Sequence, residues 1–400
     1  MTLPFIVLRS LRQHLLSTVV TATAIALAGG LLLSVWAIKD QTRTTFTQAN
    51  SGFDAVLGAR GSKLQLVLSS IFHLEASVGN VTAADFAAIQ RHRAVKRAIP
   101  IAMGDNLDGF RLVGTTPELF TAVEYRPGQT HQLQAGRIWS GDASEAVLGS
   151  FAADRLDLKI GDTFHPFHGL AFSEAHEHED EYTVVGILAP SNTPTDKVVW
   201  IPLHGIQHMS GHNPAAADEI SAVLIQLRSP SAGFMLDTLF NRQGEHLTFA
   251  YPIAAIVADL FGKIGWFDRV LALVAYLVAV VSAAGVLVAI YNSLSARRRD
   301  LAILRALGAG RGTLFGSVIL EAAALGGFGM VGGFGVYAAI TAVTATIIRE
   351  ETGVVMRTWT YHPVMLWAPL GMILLCALGG VIPAVKAYAT NVADNLSPQS

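Results

Sequence analysis

Hydrophobic positions divide this chain before any single residue does. Four apolar runs, residues 15–38, 270–294, 313–347 and 364–387, each reach the roughly 20 residues that a helix needs to cross a bilayer core. Between the first and the second lies a stretch, 39–269, whose apolar positions recur in the short patterns of soluble structure. The expected fold is integral membrane and α-helical, with four transmembrane helices (one plus three) and a large mixed α+β extracytoplasmic domain between helices 1 and 2. The flanking pieces are an interfacial helix at 1–14, a loop at 295–312, an outer loop at 348–363 and a tail at 388–400.

Inside the large domain, "SKLQLVLSSIFHLEAS" places Leu64, Val67, Leu68, Ile71 and Leu74 on one helical stripe. "NVTAADFAAIQRHRAVKRAIP" predicts a second helix, with Thr82 as N-cap, Asp85 three residues on and Pro100 after its end. "FRLVGTT", "EAVLGS", "DEYTVVGILAP" and "KVVWIPL" predict strands. At the start, "PFIVLRSLRQHLLS" gathers Phe5, Ile6, Leu8 and Leu11 near one helical face, which suits a helix lying in the membrane interface or the ragged start of the first span.

Composition supports the membrane assignment, since 14% charged residues stand against about 25% in an ordinary soluble domain. A net charge of −2 gives no global attraction to nucleic acid, and none is expected as a partner. Cys376 is the only cysteine, so no disulfide forms within the chain. The first run lacks a convincing small-x-small cleavage site and reads as a retained anchor rather than a signal peptide. Arg9 and Arg12 precede it, and Arg297, Arg298, Arg299, Arg305 and Arg311 crowd the loop between runs two and three. Both segments are therefore expected on the cytoplasmic side, and 39–269 outside.

That loop reads "SARRRDLAILRALGAGRG". Asp300 can cap a helix in which Leu301, Leu304 and Leu307 recur with Ile303 beside them, and Gly308 suits the left-handed closing position. About 10 Å long, such a helix would be marginal alone in water. It implies a partner over its leucine face, with the arginines meeting acidic groups on that partner or lipid headgroups. The plainer alternative is a topology-setting basic loop that carries leucines.

"ARRRDLAILRALGAGRG" resembles the arginine-rich segment after the second span in the FtsX/LolC/MacB group of ABC transporter permeases, the type VII transmembrane subunits. "EAVLGSFAADRLDLKIGDTF", "YTVVGILAPSNTPTDKVVWIPL" and "GGVIPAVKAYATNVADNL" resemble, in that order, further stretches of the same group. The resemblance implies a permease dimer, most simply a homodimer, working with a separate cytoplasmic ATPase that holds ATP and Mg. Residues Arg297 to Gly308 would then be the coupling segment, and a periplasmic adaptor or substrate-binding protein an additional partner. It also implies a multi-pass protein of the bacterial inner membrane whose moving outer domain handles a hydrophobic, lipid-linked, peptide or metal-linked substrate. The chain itself would be no enzyme: it contains no G-x-x-x-x-G-K-[ST] loop, so nucleotide phosphates need another subunit.

Glu321 is the one charge inside the third run, costly in hydrocarbon and hence a functional candidate or a group hydrogen-bonded to hydroxyls such as those of Thr18, Thr21 or Ser282. Gly329 and Gly333 stand at the G-x-x-x-G spacing that lets helices approach closely. Eleven of thirteen histidines fall within 39–269. "HPFHGLAFSEAHEHEDEY" holds His165, His168, His176 and His178 among carboxylates, and "HGIQHMSGH" holds His204, His208 and His212, which share one face if helical. Imidazole and carboxylate are zinc donors, but no H-E-x-x-H signature or cysteine ligand accompanies them. Two readings stay open there, a metal site and solvated loops. At the level of the whole chain, the alternatives to a permease are a membrane-anchored histidine-rich metal sensor or receptor and an activator of a periplasmic enzyme.

Overall fold

A computed structural model describes residues 3–48, 51–141, 144–169, 178–211, 218–296, 308–355 and 361–388. The chain forms two units, one of residues 1–41, 264–345 and 357–400, the other of residues 42–263 and 346–356.

The first unit is helical. Among the described residues, four segments of the chain are long and apolar enough to cross a membrane: Leu15–Phe46, Ile253–Ser293, Gly312–Thr352 and Val364–Lys386. The core of this unit joins Ile25, Leu33, Val286, Leu325, Tyr337, Met372 and Cys376, all buried. Large apolar side chains such as Leu16, Val281, Val331 and Trp367 point outward instead. A continuous apolar exterior of that kind belongs in hydrocarbon rather than water. The N-terminal helix Leu3–Gln13 buries Val7, Ser10 and Leu11 while Phe5 and Leu8 remain exposed, so its packed face differs from the expected one by about a third of a turn.

Several helices outrun the apolar runs that announced them. The first continues to Gln48 through a threonine-rich tract, and the second begins at Ile253, where Val257 packs inward and Asp259 pairs with Lys263 one turn on at 2.9 Å. The third, Arg311–Thr352, takes up the first part of the expected outer loop. The last run is divided at Gly380 into Val364–Gly379 and Val381–Tyr388. Pro383 accounts for the break, because it has no N–H for the carbonyl of Gly379.

In the second unit, a mixed sheet orders its strands Leu247–Ala250, Ala55–Ala59, Ala222–Leu227, Val95–Leu107, Phe110–Thr115, Val199–Pro202, Glu145–Leu148, Tyr182–Leu188 and Leu133–Gly136. Two neighbouring pairs are parallel, Val199–Pro202 with Phe110–Thr115 and Tyr182–Leu188 with Glu145–Leu148. Short strands Thr163–Phe164 and Phe167–His168 join from the side. Trp200, Phe120 and Phe53 anchor the largest core of this unit, with Phe120 edge-on to both Trp139 and Trp200. The four strands expected from sequence lie in this sheet.

Two expectations fail here. The helix on the leucine stripe is only Lys63–Ser70, capped by Ser62, and it buries Leu66 and Val67 while Leu74 is exposed beyond its end. The second helix does have Thr82 as N-cap, accepting from Asp85 N–H at 3.1 Å, but it stops at Gln90. "VKRAIP" belongs instead to the strand Val95–Leu107, where Val95, Ile99 and Ile101 are buried by neighbouring strands. Tertiary burial of β-branched side chains overrides the local helical pattern.

Candidate functional site

The strand Val95–Leu107 carries an irregularity between Met103 and Asp105 against Phe110–Thr115. Such a bulge re-aims the side chains beside it. At this point Phe167–His168 adds antiparallel, with Asp105 opposite His168 and Asn106 opposite Phe167. Asn106 locks the addition by donating from Nδ2 to the carbonyls of Phe167 and Gly169 at 3.2 and 2.9 Å. His178 returns to the same place, its N–H donating to the Pro166 carbonyl at 2.9 Å.

These turns bring three donors together. Asp105 Oδ1 lies 3.1 Å from His168 Nδ1 and 3.2 Å from His178 Nε2, and one ligand atom from each residue falls within 4.8 Å of the other two. Asp105 and His178 are buried, and the His168 side chain is 57% exposed, so the cluster is open at His168. A cavity of about 370 Å³ adjoins it, lined by His168, Met103, Gly104, Gly211, Glu219 and Ser221 among others. Behind the cluster, His178 Nδ1–H donates to the Ser210 carbonyl at 2.6 Å. Ser210 in turn is held by Asp180, which accepts from its N–H and its hydroxyl at 2.7 and 2.5 Å. Burial pushes the Asp180 carboxyl upward, but those bonds and the nearby His178 outweigh it and leave the group below its ordinary range.

The other histidines go elsewhere. His165 Nδ1 donates to the backbone carbonyl of Asp180 at 3.2 Å, and His208 Nδ1 donates to that of His204 at 3.0 Å, with His204 and His208 both exposed. The helix there is only Leu203–Gln207, so His208 already sits at its end. His176 and His212 lie outside the described residues. Of the seven histidines considered as ligands, His168 and His178 meet, and Asp105 completes the group.

In the helical unit, Ser10 of the N-terminal helix donates to Glu321 Oε1 at 2.6 Å, a hydroxyl bond of the expected kind, while Thr18 donates to the Leu11 carbonyl and Ser282 to that of Ala24. Gly329 faces the first spanning helix so closely that a Cβ there would sit 2.5 Å from Ile25 Cβ, and a Cβ at Gly333 would lie 3.3 Å from the Ala26 carbonyl oxygen. Arg297, Arg298, Arg299, Asp300, Leu301, Ile303, Leu304, Arg305 and Leu307 lie outside the described residues; Gly308 has φ +97°.

One contact had no counterpart among the sequence expectations. The C-terminal end of Arg311–Thr352 groups with the sheet domain. Lys197 Nζ donates to the carbonyls of Glu350 and Glu351, each at 2.6 Å, Arg155 pairs with Glu350, and the Arg349 guanidinium lies 5.2 Å over the Phe151 ring. A cation on the last carbonyls of a helix satisfies them and opposes the helix dipole. Burial lowers the Lys197 pKa, with Glu351 opposing that shift and Arg111 adding to it.

A family model described as the MacB-like periplasmic core domain matches residues 18–233, and one described as the FtsX-like permease C-terminal matches residues 272–392. The chain belongs to the FtsX/MacB-type ABC permeases. It is similar to the periplasmic region of MacB from Actinobacillus actinomycetemcomitans (11% identity, TM-score 0.35, covering 54% of this chain and 93% of that one). It is also similar to the extracellular domain of the noncanonic ABC-type transporter YknZ from Gram-positive bacteria (14% identity, TM-score 0.32, covering 49% and 99%). No curated protein matches it. As a permease of this family it is a multi-pass membrane protein with an extracytoplasmic domain, and such subunits are not themselves enzymes.

Proposed function

We propose that this chain is the subunit through which a separate cytoplasmic ATPase reshapes the extracytoplasmic domain, acting as one of two permease chains in a bacterial inner membrane. The observation that carries the reading is the third spanning helix. It starts at Arg311, three residues after Gly308 closes the charged loop, and ends at Thr352 beneath Lys197 and Arg155 of the sheet domain. Forty-two residues of helix make a connector about 63 Å long. A stroke delivered at the loop therefore has a stiff path outward, and the clamp at the far end gives it something to pull on.

The spans favour force over conduction. Glu321 is the single charge within the four apolar runs apart from Lys386 near the last run's end, and Ser10 satisfies it. A hydrated path would need polar lining that these helices lack. The substrate class is hydrophobic, lipid-linked, peptide or metal-linked material on the outer side. Co-purification from mild detergent tests the coupling. The wild-type chain should bring an ABC ATPase with it, and Leu304→Asp should release that ATPase while the permease stays folded. Retention of the ATPase by the variant would overturn the assignment of Leu301 to Leu307 as the coupling segment.

A further inference from the structure

We propose that Asp105, His168 and His178 form a three-ligand site for a zinc-class divalent cation on the extracytoplasmic domain. The hydrogen bond behind His178 is the strongest argument. A carbonyl oxygen can only accept, so the 2.6 Å contact with Ser210 places a proton on Nδ1 of His178. Nε2 is then the atom turned to Asp105 Oδ1, 3.2 Å away. A ring nitrogen and a carboxylate oxygen at that range share a positive charge, which a proton or a metal ion supplies. Metal-ligating histidines are oriented in this way, with the far ring N–H held by a carbonyl.

Distances agree with that charge being a metal. Four donors placed about 2.0–2.1 Å from a tetrahedral ion lie about 3.3–3.4 Å from one another. Asp105 Oδ1 stands 3.1 and 3.2 Å from its two imidazole nitrogens. Two imidazoles and one carboxylate are the donor set of a borderline ion such as Zn²⁺, not of Mg²⁺ or Ca²⁺, which prefer oxygen. The site is also braced before any ion arrives: Asp105 and His168 are cross-strand partners, and Asp180 fixes Ser210, which fixes His178. Among the described residues three donors meet, and the side at His168 opens beside the 370 Å³ cavity.

The site stands apart from the ATPase reading and survives or fails without it. The test uses the full chain, purified in detergent without a polyhistidine tag and titrated with ZnCl₂ against a chromophoric chelator. The expected result is one tight Zn²⁺ per chain, and an affinity about tenfold or more lower in His168→Ala and in Asp105→Asn. His204→Ala combined with His208→Ala should leave it unchanged. Co²⁺ in place of Zn²⁺ should give the intense visible bands of a four-coordinate ion, lost in His168→Ala. Because the His168 side chain is largely exposed, that variant keeps the test valid even where Asp105→Asn fails to fold. Equal affinity in wild type and His168→Ala, or binding abolished by the His204/His208 pair alone, overturns the proposal.

Discussion

His131 shows what burial does to a single ring. It is stacked on Tyr125 with centroids 4.8 Å apart, and neither ring nitrogen has a hydrogen-bond partner among the described residues. Loss of water around the ring lowers its pKa from 6.5 to about 4. Folding therefore favours the neutral form. The contribution of this residue is fully present above pH 6.5 and is lost as pH falls toward 4, amounting to about 2 kcal/mol by pH 5. His131→Phe should remove that much of the acid sensitivity of unfolding, read as the difference in denaturation midpoint between pH 7.5 and pH 5. An unchanged pH dependence would mean that the ring is hydrated. His73 behaves alike: half-buried and edge-on to Trp200, it has its pKa lowered to about 3 by loss of water first and by Arg111 second. At this scale the sequence showed residue types but not neighbours. The histidine clustering was visible, yet Asp105 lies about sixty residues away in sequence and is joined to it only by strand pairing.

Between elements, spacing along a helix is readable while its partner is not. The G-x-x-x-G pair predicts a close approach, and the structure supplies the opposing surface: Ile25 and the Ala22 carbonyl face Gly329, and Ala26 and Gly30 face Gly333. A leucine at Gly329 would overlap Ile25 through its Cβ alone, and overpacking of a tight contact costs about 1–3 kcal/mol or more. Gly329→Leu should thus lower the thermal midpoint of the detergent-solubilised protein, whereas Gly327→Leu, at a position with open space around it, should not. Equal midpoints for the two variants would show that the first and third helices do not pack there. Val95–Leu107 was masked by a helical pattern at its start, while the four strands bounded by turn residues were legible from their apolar runs. Element ends were not, since Lys197 and Pro383 act through contacts and missing donors that no periodic pattern carries.

For the molecule as a whole, the one-plus-three layout and the α+β domain could be read from hydrophobicity alone, and the order of the motifs pointed to the family. What sequence could not reveal was that the third helix belongs to both units, since the short loop after it looks like a simple outer turn. On the proposed function, that shared helix is the path along which a push at the charged loop reaches the sheet domain. The most direct measurement is a distance between two spin labels in the dimer, one per chain at Gln129→Cys, an exposed position, in a background where Cys376 is replaced by serine. With the partner ATPase present, trapping ATP should shift the distance distribution between the two outer domains, and Leu304→Asp should abolish the shift. A distribution that ignores ATP, or one that shifts equally in Leu304→Asp, would contradict mechanical coupling through this chain.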